Sequence, residues 1–94
     1  MLFDIGNIMN SKENEILLIT QEECAEVTQA ISKCYRFGLD NVKPGKPKTN
    51  RQHLAEELGD LQAMIDLCIV SNLVSKDEVD SASDNKIAKL KVWS

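Results

Sequence analysis

Apolar side chains recur at helical spacing in three stretches of this chain, and polar punctuation separates them. After Asn10, Ile16, Ile19, Cys24, Val27 and Ile31 return every three or four residues as far as Phe37, the period of one face of an α-helix. Asn10 with Glu13 has the spacing of a capping box, and Gly38 supplies a stop. A second series runs through Leu54, Leu58, Leu61, Ile65, Cys68 and Ile69 to about Leu73, opened by Thr49 with Gln52 or by Asn50. Ser75 with Glu78 marks a third start, followed by Val79, Ala82, Lys86, Leu90 and Trp93. Between the first two series, "LDNVKPGKPKTN" holds both prolines, one glycine and Lys43, Lys46 and Lys48, and reads as a basic loop. The first nine residues have room for a short extra helical turn. The pattern predicts an all-α fold: an antiparallel helical hairpin plus a further C-terminal helix, a single domain over residues 1–94 that assembles as a helical-bundle oligomer.

A helical wheel refines the first helix. Leu17, Thr20, Cys24, Val27, Ile31 and Tyr35 fall in one sector, and Ile16, Ile19, Ala30 and Phe37 extend it on one side. Glu23 falls inside that extension and Glu26 at its edge, whereas Glu22, Gln29 and Arg36 lie further round on the polar side. In the second helix Met64 and Leu67 widen the main stripe, and Glu57 and Asp60 occupy the widened edge. Each long helix therefore offers an acidic i, i+3 pair on its packing face, and a hairpin brings the two pairs together. Two carboxylates about 4 Å apart repel by roughly 4 kcal/mol at an effective dielectric near 20, comparable with the whole stability of a small domain, about 5–15 kcal/mol. Such a cluster requires neutralisation by protons, basic side chains or a cation. All-oxygen ligands favour Mg²⁺, with Mn²⁺ as a possible substitute. Gly59, between Glu57 and Asp60, suggests close approach of a partner helix or ligand at a position where glycine weakens a helix.

Composition narrows the function. Hydrophobic residues make up 43% of the 94 residues and charged ones 28%, so the chain folds. Its net charge of −4 argues against a general nucleic-acid coat protein. Three cysteines without a CxxC pair suggest neither a disulfide framework nor a zinc site. With no basic leader and no apolar run of membrane-spanning length, the expectation is a cytoplasmic protein with no membrane partner. The second helix carries Ala63, Leu67, Val70 and Leu73 outside its main stripe, more apolar surface than one hairpin covers, which predicts a homodimer or homotetramer. His53 reads as an ordinary helix-start residue rather than a nucleobase contact, and Trp93 as a packing residue.

Read together, "EECAE" and "ELGD" resemble the EExxE and ExxD motifs of the MazG-like, all-α nucleoside triphosphate pyrophosphohydrolases. The resemblance covers about Glu15 to Trp93, including "HLAEELGDLQAMI"; the 30 residues between Glu26 and Glu57 make a long connection for the family. It implies that Glu23, Glu26, Glu57 and Asp60 bind Mg²⁺, the four residues that the wheel selects. It also implies hydrolysis of nucleoside triphosphates between the α- and β-phosphates to the monophosphate and pyrophosphate, in control or cleaning of the nucleotide pool. Glu22 becomes a candidate for positioning the attacking water. Lys33 and Arg36, beyond Glu26, and Asn85 and Lys86, in "NKIAKLKVW", become candidates for binding substrate phosphates, and the loop lysines for closing over the triphosphate. Two alternatives are a catalytically silent helical dimerisation or regulatory module and a pyrophosphohydrolase acting on phosphoribosyl-ATP.

Overall fold

In a computed structural model, which describes residues 9–42 and 44–91, the chain forms three helices, α1 (Ser11–Phe37), α2 (Asn50–Val70) and α3 (Lys76–Lys91). No strand occurs among the described residues, and the all-α class follows. The extra turn considered for the first residues, the placement of Lys43 and the packing of Trp93 fall outside the described residues.

The helix ends are set by local chemistry. The Asn10 side chain accepts from the Glu13 backbone N–H at 2.8 Å, and the Asn10 N–H donates to Glu13 Oε1 at 3.0 Å. Thr49 and Gln52 repeat this reciprocal box at 3.1 and 2.9 Å. Ser75 Oγ accepts from the Glu78 N–H at 3.1 Å ahead of α3. These pairs satisfy backbone donors that a helix start otherwise leaves to water. Gly38, at φ 87°, ends α1 in a conformation that disfavours a β-carbon.

α2 stops at Val70, three residues before the end the apolar pattern suggests. Asn72 takes the left-handed conformation at φ 64°, its N–H donates to the Ile69 carbonyl and the Leu73 N–H to the Cys68 carbonyl, and Leu73 packs back on the core. This is a Schellman closure, in which the apolar residue after the helix caps it rather than extending it.

α1 and α2 pack as an antiparallel hairpin, the one extended helix contact among the described elements. The core lies in the seam between them, with Ile16, Met64 and Cys68 buried together, Ile19 and Leu73 against them, and Val27 and Ala30 buried further along α1. The seam is rotated from the expected stripe. It runs through Ile16, Ile19, Thr20, Glu23, Val27, Ala30 and Cys34, while Leu17, Cys24, Ile31 and Tyr35 are exposed. On α2, Glu57 sits in the seam and Leu58 and Leu67 lie outside it. A single hairpin covers only one side of each helix, and the side it covers includes the acids. α3 contains no buried residue, and Ile87 and Leu90 remain open.

The loop between α1 and α2 is pinned to the hairpin. Val42 and Thr49 form an antiparallel bridge, the Arg51 N–H donates to the Leu39 carbonyl at 2.8 Å, and the Arg51 guanidinium donates twice to the Asp40 carboxylate at 3.0 and 3.2 Å. Asn50 Nδ2 donates to the Gly38 carbonyl at 2.8 Å.

Candidate functional site

Glu23 faces α2 from the middle of the seam, and Glu57 and Asp60, one turn apart, face it from α2. One carboxylate oxygen from each of the three lies within 4.8 Å of the others. The Glu57 side chain is only 13% exposed. Oε2 of Glu23 and Oε2 of Glu57 are buried with no hydrogen-bond partner, a costly state for an acceptor in a protein interior. Glu26 is exposed one turn beyond Glu23 and adds its charge to both neighbours.

The electrostatics follow from this crowding. Burial first, then the charges of Glu26 and Asp60, raise the Glu23 carboxyl above its ordinary value. A hydrogen bond with Glu26, then burial and the charges of Glu26, Asp60 and Glu23, raise Glu57. Among the described ion pairs the group facing Glu57 is the His53 imidazole, whose Nε2 stands 3.6 Å from Glu57 Oε1, beyond good hydrogen-bond range. Two orphaned buried oxygens, a third carboxylate and an all-oxygen donor set fit a hard divalent cation such as Mg²⁺.

One opening adjoins the cluster, and a second shares two residues with it. The first, of about 200 Å³, is lined by Glu26, Gln29, Lys33, His53 and Glu57. A larger one of about 740 Å³ lies under the pinned loop, and Lys33 and His53 border both. Acids that crowd onto the helix seam and open toward a basic cavity form a setting for a cation and an anionic ligand together.

The family model of the MazG nucleotide pyrophosphohydrolase domain matches residues 11–91. The chain belongs to this family. Neither a curated protein nor a solved structure is recognisably similar to it. The match spans all three helices of this MazG domain and both acidic pairs.

Within the MazG domain the expected site residues divide into two groups. Glu23, Glu57 and Asp60 come together, with Glu26 beside them and Lys33 at the shared edge of the two openings. Glu22 is exposed, and its charge reaches Glu23. Arg36 is exposed, with its guanidinium 4.9 Å from the Phe37 ring centroid, and borders neither opening. Asn85 and Lys86 lie exposed on α3 and also border neither. Gly59 has open space where a β-carbon would stand, so no part of the described chain approaches it. His53, read from the sequence as an ordinary helix-start residue, borders both openings and stands 3.6 Å from Glu57. Its i, i+4 spacing to Glu57 was the available signal.

Proposed function

We propose that this chain is a Mg²⁺-dependent nucleoside triphosphate pyrophosphohydrolase that converts an NTP or dNTP, standard or modified, to the monophosphate and pyrophosphate, and so controls or cleans the nucleotide pool. The observation that carries the reading is the convergence of Glu23, Glu57 and Asp60 with two buried, unpartnered carboxylate oxygens. Membership of the MazG family supports the reaction class. In this reading Glu23, Glu26, Glu57 and Asp60 hold the metal. When bound, the ion supplies charge screening for the phosphates and lowers the pKa of a coordinated water.

The chain's own groups do the rest. Lys33, bordering both openings, binds a phosphate oxygen of the substrate, and Arg36, Asn85 and Lys86 are assigned to the outer phosphates. Glu22 orients the attacking water as a hydrogen-bond acceptor at the exposed side of Glu23. A second copy completes the assembly. Helical spacing puts Leu17, Ile31 and Tyr35 of α1 and Leu58 of α2 on the flank of the hairpin opposite Glu26 and Lys33, and all four are exposed. Covering that flank in a homodimer or homotetramer is the natural fate of such surface.

The test is substitution at the acids without loss of the fold. Glu57→Gln and Asp60→Asn should each lower kcat/KM by roughly a hundredfold or more, with the helical circular dichroism unchanged. Full turnover in both variants would exclude this site.

A further inference from the structure

The cavity under the loop joining α1 and α2 has two kinds of wall. Phe37, Val42, Pro44 and Pro47 contribute apolar lining, and Lys33, Lys46 and His53 contribute polar lining. Phe37 and Val42 are each 51% exposed, and the Arg36 guanidinium stands 4.9 Å from the Phe37 ring centroid, so part of each apolar side chain is open to a ligand. Lys48 is paired with Glu56, whereas Lys33 and Lys46 have no acidic partner among the described ion pairs. The cavity is also preformed. The Val42–Thr49 bridge and the Asp40–Arg51 pair fix the loop against α2, and Asn41 and Asn50, both on the cavity, donate their amide N–H groups to the Phe37 and Gly38 carbonyls. Those bonds set the amide orientation and leave the side-chain oxygens as acceptors.

We propose that this cavity is the nucleoside subsite: the base packs on Phe37 and the Val42–Pro44–Pro47 wall, while Lys33 holds the phosphate that crosses to the acidic cluster. The inference rests on the pyrophosphohydrolase reading. A nucleotide is planar and largely aromatic at one end and anionic at the other, and the two openings, which share Lys33 and His53, offer apolar lining in the one and a place beside the acids in the other. Pyrophosphate, the other half of the substrate, is hydrophilic throughout and gains nothing from a wall of proline, valine and phenylalanine. The amide oxygens of Asn41 and Asn50 suit the N–H edges that bases carry, and a fixed loop lowers the ordering cost of binding. The connection between the acidic motifs is thereby given a purpose: its length builds the base wall.

The experiment is calorimetric titration of the full chain, with Mg²⁺ present, using a panel of nucleoside monophosphates and, separately, inorganic pyrophosphate. It compares wild type with Phe37→Ala and with Val42→Asp, each variant first shown by circular dichroism to keep the helical fold. Loss of a base–aromatic contact should weaken monophosphate binding by about tenfold or more and leave pyrophosphate binding unchanged. Three results would overturn the assignment: weakening of pyrophosphate instead, no change in either ligand for both variants, or a wild type that binds no monophosphate. Turnover of the wild type reports separately on the reaction. An active enzyme with unaltered variants discards the subsite alone, whereas monophosphate binding that depends on Phe37 without turnover of any triphosphate discards the catalytic reading alone.

Discussion

At the residue scale, the governing fact is that Glu23 and Glu57 occupy seam positions that an ordinary hairpin fills with apolar side chains. Their carboxyls are raised above the 4.5 of a free glutamate by burial and by neighbouring acids, so between that value and the raised one the folded chain holds protons that the unfolded chain has released. Stability from this source is present below 4.5 and is lost as pH rises through the folded-state values. Asp40 is shifted the other way, lowered from 3.8 by its bonds to Arg51, so its contribution is present above 3.8 and is lost only as pH falls through its lower folded value. In the presence of chelator, the melting temperature should therefore rise as pH falls from about 7 toward about 5, and Glu57→Gln should flatten the rise; thermal denaturation across that range checks both. Added Mg²⁺ should raise the melting temperature at neutral pH in proportion to its occupancy. The four acids were legible in the sequence because their spacing is independent of the exact helix rotation. The rotation itself was not. Leu17, Cys24, Ile31 and Tyr35 look more like core than Thr20 or Glu23 on any hydrophobic ranking, yet the seam takes Thr20 and Glu23 and leaves those four exposed.

At the element scale, the helix starts at Asn10, Thr49 and Ser75 were readable because a side-chain cap three residues ahead of its partner is a local property, reciprocal at Asn10 and Thr49 and one-way to the backbone at Ser75. The end of α2 was not, since Leu73 continues the apolar period yet folds back through the left-handed Asn72. Thr49→Ala removes an acceptor that satisfies the Gln52 N–H and should cost about 1 kcal/mol, measurable by urea denaturation. Gly59 offers a contrast. It lies inside α2 with a non-strained backbone and open space at its β-carbon, so Gly59→Ala should stabilise the chain by roughly 0.5–1 kcal/mol. The same denaturation experiment decides it, and a loss of stability would place a partner against that face.

At the scale of the whole molecule, α3 leaves Ile87 and Leu90 open, and the flank carrying Leu17, Ile31, Tyr35 and Leu58 is uncovered. The radius of gyration is 17.1 Å, against about 12 Å for a compact chain of this length. Such a chain has more apolar surface than it can bury alone. Ile31→Lys should therefore reduce the mass measured by light scattering to that of one chain, while an unchanged oligomeric mass would move the interface elsewhere. No helix among the described residues is long and apolar enough to cross a membrane. The hairpin order was legible from the chain's punctuation, but the exposure of α3 was not, because amphipathic spacing shows that a helix has an apolar face without saying which chain covers it.

The central claim, that the crowded acids serve phosphoanhydride hydrolysis, is tested most directly by following the phosphorus products of NTPs and dNTPs with ³¹P NMR, with Mg²⁺ and with chelator. The account predicts monophosphate and pyrophosphate, formed only with the metal and absent with Asp60→Asn. Orthophosphate and diphosphate as products, or no turnover of any nucleotide by the wild-type chain, would contradict it.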